Sequence, residues 1–135
     1  MENNRARPGR LVRKSDFARL KKYGTKAQLN PWLILKALPS KDGISKLGWT
    51  IPTRAGSAVT RNRIKRWCRE YFRSHTTNDG STAILDINVI VLGVPQNPDF
   101  LKRMEFDEFK RNLEKTHTQI LRRAGNQVPG DLRGA

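Results

Sequence analysis

Acidic residues are scarce in this sequence. Its 135 residues include 12 Asp and Glu against 27 Lys and Arg, which gives a formal net charge of +15 and a pI near 11.0. Each phosphate that is neutralised by Lys or Arg releases counterions, so this surplus favours a nucleic acid as the partner. An anionic membrane surface is the weaker alternative.

Long apolar runs and paired cysteines are also missing. No run approaches the roughly 20 apolar residues that span a bilayer, and residues 1–10 lack the apolar core of a signal peptide. The single cysteine, Cys68, cannot form an intramolecular disulfide and is expected to be a small core residue. These absences predict a cytoplasmic protein in a reducing compartment.

A catalytic constellation is missing as well. His75 and His117 are isolated in the sequence, and we expect both at the surface. Asp107, Glu108 and Glu114 are interpreted as charges on the face of a helix. The sequence therefore predicts no catalytic residue and no metal ligand in this chain, and a nuclease that acts alone is not expected.

The length supports a single hydrophobic core. We predict a flexible basic tail over residues 1–12, a domain over 13–122 and a flexible C-terminal tail over 123–135. The first helix of the domain is expected to begin with Ser15 as its N-cap, and Phe17 and Leu20 share one side of it. Trp32 and Trp49 are expected in the core or on a face of the sheet.

The order αβββαβα predicts an α+β fold, a two-layer sandwich with helices packed on one sheet. The predicted helices cover 15–23, 57–73 and the residues from 106 onward, and the predicted strands cover 26–29, 32–35, 47–51 and 84–92.

The helix predicted over 57–73 separates its apolar and charged residues. The apolar side consists of Ile64, Trp67, Cys68, Tyr71 and Phe72. The opposite side carries Asn62, Arg66, Arg69 and Arg73, with Lys65 at its edge and Arg61 and Arg63 beside its first turn. An ordinary solvated face mixes both signs of charge, whereas this one is almost entirely cationic. Since guanidinium groups suit phosphates, the pattern predicts nucleic-acid binding, although periodicity alone does not choose between RNA and DNA.

Residues 56–66, Gly-Ser-Ala-Val-Thr-Arg-Asn-Arg-Ile-Lys-Arg, resemble the signature helix of the bacterial ribonuclease P protein family. The similar layout covers about residues 10–122. The resemblance implies a ribosomal-protein-like α+β fold with a left-handed βαβ crossover. It also implies a protein subunit that binds the catalytic RNA of ribonuclease P and the 5′ leader of precursor tRNA, with Mg²⁺ bound mainly by the RNA. Neither a membrane nor DNA is expected as a partner.

The resemblance also assigns residue roles and shows three departures from the family pattern. RNA binding is implied for Arg54, Arg61, Asn62, Arg63, Lys65 and Arg66, to which the stripe adds Arg69 and Arg73. Leader binding is implied for Phe17, Leu35 and Lys21, although Phe17 is equally compatible with a place in the core. The departures are Ser57 in place of asparagine, Thr53 in place of lysine, and the absence of a basic residue in Leu92-Gly93-Val94.

Two rival functions remain open at this level. A ribosomal-type protein of similar fold would share the basic stripe, but it would bind ribosomal RNA and need no leader groove. A DNA-binding helical module would need exposed base-reading residues and usually dimer symmetry. The β-rich layout argues against the DNA-binding module.

Overall fold

The computed structural model of the protein describes residues 9–75 and 84–124, and their elements follow the predicted α+β order with two additions. The additions are the first strand and the short third helix. The strands are β1 (Gly9–Arg10), β2 (Thr25–Asn30), β3 (Leu33–Pro39), β4 (Lys46–Thr50) and β5 (Leu85–Val91). The helices are α1 (Lys14–Tyr23), α2 (Ala58–His75), α3 (Phe100–Arg103) and α4 (Phe106–Ala124), with a 3-10 turn at Thr53–Ala55.

The strands form one mixed sheet in the order β1-β4-β5-β3-β2. β3 pairs antiparallel with both β2 and β5, whereas β4 pairs parallel with both β1 and β5. The parallel neighbours β4 and β5 are connected through α2, because a parallel pair needs a long crossover between its strands. This βαβ unit fixes α2 against the sheet.

Helices cover the two faces of the sheet unequally. Alternate residues of β3, Leu33, Leu35 and Ala37, are buried in the main core together with the apolar residues of α2 and α4. Leu11 and Leu20 are buried outside that cluster, on the face where α1 contacts β3 and β5. α2 and α4 therefore enclose the main core, and the shorter α1 covers only part of the opposite face.

The central position of β5 explains its nearly continuous burial. Ile87 and Val89 belong to the main core, while Asp86 and Asn88 point to the α1 face and are also buried. A strand that is covered on both faces loses the alternating exposure typical of a half-exposed sheet. Its two polar residues need partners, which are Arg19 for Asp86 and Thr50 for Asn88.

The two tryptophans assigned to the core or a sheet face occupy those places. Trp32 is buried, and its ring centroid lies 5.6 Å from that of Phe100 and 6.1 Å from that of Phe109. Trp49 is half-buried and packs against the core cluster from β4.

The predicted ends of the domain need correction. Gly9–Arg10 pair with β4, and Leu11 is 3% exposed, so the tail predicted over 1–12 includes residues that belong to the sheet. α1 begins at Lys14 with Arg13 at its N-cap position, rather than at Ser15. α4 continues to the buried Ala124, two residues past the predicted end of the domain. The remainder of the predicted tails, residues 1–8 and 125–135, lies outside the described residues.

None of the helices within residues 9–75 and 84–124 is long and apolar enough to cross a membrane.

Candidate nucleic-acid interface

The N-terminus of α2 is capped by Ser57. The Ser57 hydroxyl oxygen accepts a hydrogen bond from the Thr60 backbone N–H at 3.2 Å and lies 3.2 Å from the Thr60 hydroxyl. Arg61 Nε donates to the Gly56 carbonyl at 3.1 Å, which holds the first turn against the preceding loop. Serine and asparagine are both effective N-caps, so the departure from asparagine preserves the start of this helix.

The outer face of α2 carries the predicted basic stripe. Asn62, Arg66, Arg69 and Arg73 are exposed, and Lys65 is half-buried. Within residues 9–75 and 84–124, the salt bridges join Arg19 to Asp86, Lys46 to Asp42 and Arg103 to Asp99, so no cation of α2 has a carboxylate partner there. Exposed guanidinium groups without carboxylate partners are available to phosphates.

The inner face of α2 is apolar and packs against the core, as predicted. Ile64, Cys68, Tyr71 and Phe72 are buried, but Trp67 is only partly buried at the margin of the core. Its ring centroid lies 5.6 Å from that of Phe106 and 5.5 Å from that of Phe109, both of α4. Burial raises the pKa of the Cys68 thiol to about 12, which keeps it protonated and unreactive.

Arg63 does not belong to the exposed stripe. Its Nη2 donates to the carbonyl oxygens of Leu101 at 2.7 Å and Lys102 at 2.9 Å, and its Cζ lies 4.8 Å from the Trp67 ring centroid. The guanidinium therefore ties α2 to α3. The two bonds from Nη2 give Arg63 a structural role, while its buried Nε has no hydrogen-bond partner. The sequence-based assignment of Arg63 to RNA binding stays a prediction.

Leu35 lies on the wrong face of β3 for the predicted leader contact. It is 0% exposed and packs in the main core, on the side opposite α1. The residues of β3 that lie on the α1 side are its neighbours Ile34 and Lys36, which are half-buried. The alternation of side chains along a strand makes this a difference of one residue.

An open row of side chains crosses the α1 face of the sheet. Thr50 is opposite Ile90, Ile90 is opposite Ile34, and Ile34 is opposite Gln28 in the strand register. Thr50 and Gln28 are exposed, while the two isoleucines are half-buried. Sequence analysis missed this row because these residues carry no motif, and only the strand register places them side by side.

Phe17 lies beside this row, on α1. Its Cε1 is 2.9 Å from the point where a side-chain carbon on Gly48 would lie, so the absence of a side chain at Gly48 lets the ring rest on the sheet. Phe17 is nevertheless only partly buried. The position thus combines the two interpretations that the sequence left open, packing and a partly accessible aromatic ring.

Lys21 and Arg54 are both exposed at the borders of these surfaces. Lys36 Nζ donates to the Lys21 carbonyl at 3.0 Å, which places the last turn of α1 against β3. Arg54 lies in the 3-10 turn, and a side-chain carbon on Gly93 would come within 3.2 Å of its carbonyl oxygen and 3.0 Å of Ala55 Cα. The loop after β5 therefore packs on the turn through a residue without a side chain.

The expectation of two surface histidines is wrong for His117. His117 is 8% exposed, and its Nδ1 lies 2.9 Å from the Tyr71 hydroxyl oxygen. Its place four residues after Leu113 on the buried side of α4 is the signal that sequence analysis passed over. The side chain of His75 lies outside the described residues. Asp107, Glu108 and Glu114 are exposed on α4, as predicted.

The fold and the surface together define a class, a small basic α+β protein with an exposed arginine stripe whose guanidinium groups suit phosphates. A family model described as Ribonuclease P matches residues 6–121 of the chain. The chain therefore belongs to the ribonuclease P protein family, whose members bind RNA and act in tRNA processing. This membership confirms the resemblance of the signature helix.

Proteins that are similar in sequence to this chain are ribonuclease P protein components. The chain is 32% identical over 116 residues to the ribonuclease P protein component of Desulforapulum autotrophicum, which covers 86% of this chain and 92% of the relative. It is 42% identical over 81 residues to the ribonuclease P protein component of Desulfatibacillum aliphaticivorans, covering 60% of this chain and 66% of the relative.

Solved structures show the same fold. The ribonuclease P protein of Staphylococcus aureus superposes with a TM-score of 0.68 at 26% identity, covering 87% of this chain and 97% of that one. The ribonuclease P protein from Thermotoga maritima gives a TM-score of 0.63 at 29% identity, covering 84% and 96%. The predicted α+β fold class is confirmed by both.

Proposed function

We propose that this chain binds the catalytic RNA of ribonuclease P through the outer face of α2 and thereby promotes removal of the 5′ leader from precursor tRNA. The observation that carries the proposal is the row of exposed cations on α2, which lacks carboxylate partners within the described residues. Arg66, Arg69 and Arg73 would each contact backbone phosphates, and Lys65, Arg61 and Arg54 would border the same surface.

The 5′ leader of the precursor would lie along the open row beside α1. Single-stranded RNA binds where aromatic or apolar faces adjoin cations. The half-buried Ile34 and Ile90 supply the apolar floor, Phe17 supplies a partly accessible ring, and Lys21 supplies positive charge at the end of α1. In this arrangement the leader and the catalytic RNA occupy different faces of the domain, so both could bind at once.

Cleavage itself would be carried out by the RNA partner, with Mg²⁺ bound mainly by RNA phosphates. The described surface of α2 is cationic, so it fits phosphates and does not fit a divalent cation. Bound Mg²⁺ would activate the attacking water and stabilise the leaving oxygen. The contribution of this chain would be to hold the two RNAs together, in the cytoplasm where tRNA precursors are processed.

The experiment that tests the proposal compares two double variants with equal loss of charge. Arg66→Ala with Arg73→Ala removes cations from α2, and Lys115→Ala with Arg122→Ala removes exposed cations from α4. Binding to the ribonuclease P RNA of the same genome is measured as a function of salt. The α2 variant should bind more weakly, and its slope of log K against log salt should shrink by roughly 0.7 to 0.9 for each lost contact.

The α4 variant is the control for net charge. Equal losses in the two variants would show a nonspecific charge effect and contradict the assignment to α2. Sequencing of the RNA that copurifies from cells provides a second check. Ribonuclease P RNA and precursor tRNAs are expected, whereas enrichment of ribosomal RNA would support the ribosomal-type alternative.

A further inference from the structure

Trp49 lies beneath two arginine side chains that come from different elements. The Cζ atom of Arg10, in β1, is 5.0 Å from the centroid of the Trp49 ring. The Cζ atom of Arg69, in α2, is 5.5 Å from the same centroid. Arg10 and Arg69 are exposed, and Trp49 is half-buried. One indole ring therefore makes cation–π contacts with two guanidinium groups at the protein surface.

The strand register explains why these residues meet. Arg10 is opposite Leu47 in the parallel pairing of β1 with β4, so its side chain points to the same face of the sheet as those of Leu47 and Trp49. That face is the one covered by α2, from which Arg69 reaches the ring. The edge strand, its neighbour and the helix therefore converge on one indole.

The arrangement is electrostatically incomplete. Each guanidinium is attracted by the negative face of the indole ring, but the two cations repel each other. Neither Arg10 nor Arg69 forms a salt bridge within the residues that the structure describes. An anion between or beside the two groups would relieve the repulsion, and the planar guanidinium fork fits the oxygens of a phosphate.

We propose that Arg10, Trp49 and Arg69 form a phosphate-binding cluster that extends the RNA interface of α2 across the edge of the sheet to β1. The ligand is a backbone phosphate of RNA, and Trp49 is a positioning residue that holds the two guanidinium groups in place. The proposal rests on the proposed function, because Arg69 also belongs to the stripe of α2. It adds a sheet edge to the interface, which no motif in the signature helix includes.

Substitutions of Trp49 separate positioning from packing. Trp49 also packs against the core, so its loss could act through folding alone. Trp49→Leu keeps apolar bulk but removes the π face, and Trp49→Phe keeps a smaller π face. If the ring positions the arginines, Trp49→Leu should weaken binding to ribonuclease P RNA about two- to fivefold, the range for exposed cation–π contacts. Trp49→Phe should restore most of that loss.

Arg10→Ala tests the edge strand directly. It should weaken RNA binding about three- to tenfold and lower the salt slope by roughly 0.7 to 0.9, as expected for one lost phosphate contact. Arg122→Ala, an exposed cation of α4, is the control with the same change of charge, and it should have a smaller effect. In the Trp49→Leu background, Arg10→Ala should cost less than it does in the wild type, because the ring no longer holds the guanidinium.

The outcomes distinguish this cluster from the function on which it rests. Thermal unfolding of every variant is measured alongside binding, and Arg66→Ala serves as the reference for the α2 stripe. If the wild type fails to bind ribonuclease P RNA, or Arg66→Ala has no effect, the proposed function fails and the cluster fails with it. If Arg66→Ala weakens binding while Arg10→Ala and Trp49→Leu match the Arg122→Ala control, only the cluster is overturned. Equal affinity of Trp49→Leu and Trp49→Phe would overturn the positioning role of the ring.

Discussion

Arg63 and Arg66 lie one turn apart on α2, yet their guanidinium groups have different surroundings. Arg63 donates to two carbonyl oxygens of α3, whereas Arg66 is exposed. The basic sequence motif predicts the same role for both residues, because it specifies only their charge and their spacing. The difference arises from α3, which supplies two carbonyl acceptors to Arg63.

The first prediction separates stability from RNA affinity at these two positions. Arg63→Ala leaves the carbonyls of Leu101 and Lys102 without their donor and should lower the free energy of unfolding by about 1–3 kcal/mol. Arg66→Ala should change it by no more than about 0.5 kcal/mol but weaken RNA binding. Urea unfolding and RNA-binding titrations of both variants check this. Unchanged stability of Arg63→Ala would contradict the structural role.

Asp86 provides a second prediction at the scale of single residues. Burial raises the pKa of its carboxyl group, although Lys46 and Arg19 lower it in part. Arg19 Nη2 lies 2.9 Å from Asp86 Oδ2. A native pKa above the unfolded value means that the contribution of Asp86 to stability is present at low pH and is lost as pH rises through the native pKa.

Arg19→Ala should therefore destabilise the protein more at neutral than at acidic pH. Without the guanidinium, the buried Asp86 carboxylate has lost its salt-bridge partner. The free energy of unfolding should therefore fall by about 1–3 kcal/mol near neutral pH. Near pH 4 the loss should be smaller, because the carboxyl group is increasingly protonated there. Urea unfolding at both pH values, with Arg19→Lys as the charge-retaining control, measures the difference. Equal losses at both pH values would mean that Arg19 acts through packing alone.

At the scale of elements, α1 decides which part of the sheet stays open. It contacts β3 and β5, and Phe17 lies over Gly48, while the row from Thr50 to Gln28 remains beside it. A longer helix would cover more of this row, and a larger residue in place of Gly48 would displace the Phe17 ring from the sheet. The accessibility of the Phe17 ring therefore depends on the position of α1 against the sheet.

The proposed contact between Phe17 and the 5′ leader gives the third prediction. In the assembled ribonuclease P, Phe17→Leu should weaken binding of a precursor with a leader of several nucleotides by up to about 1–3 kcal/mol, the value of one stacked base. Binding of mature tRNA should remain nearly unchanged. Leucine retains apolar contact with the sheet, so folding should be preserved, and thermal unfolding verifies this. Equal losses for both ligands would mean that Phe17 belongs only to the core.

At the scale of the whole molecule, charge is the dominant property. A net charge of +15 on 135 residues gives the protein a positive electrostatic potential that attracts RNA, which is a polyanion. Binding of RNA should therefore weaken steeply as salt increases, in addition to the local contacts described above.

The fourth prediction concerns the division of labour between protein and RNA. The purified protein should not cleave precursor tRNA by itself, and addition of its ribonuclease P RNA should give cleavage at moderate Mg²⁺. The physical reason is that the exposed face of α2 carries cations, which bind phosphates and repel Mg²⁺. Robust cleavage by RNA-free protein that is lost on substitution of His75 or a nearby carboxylate would contradict the accessory role.

The sequence by itself determined the features that depend on neighbours along the chain. The segregation of Ile64, Cys68 and Arg66 on α2 follows from a period of 3.6 residues, and the signature helix is contiguous, so both were predictable. The α+β class and most strands followed from local apolar runs and turn residues in the same way. Family membership followed from the same contiguous segment.

Only the tertiary structure decided the features that depend on distant partners. The register of β3 buries Leu35 and turns Ile34 toward α1, α3 engages Arg63, and α4 buries His117 against Tyr71. The meeting of β1, β4 and α2 at Trp49 belongs to the same group. The physical reason is common to all of them: strand register, helix packing and edge pairing join residues far apart in sequence, and no local pattern records which partner a side chain will meet.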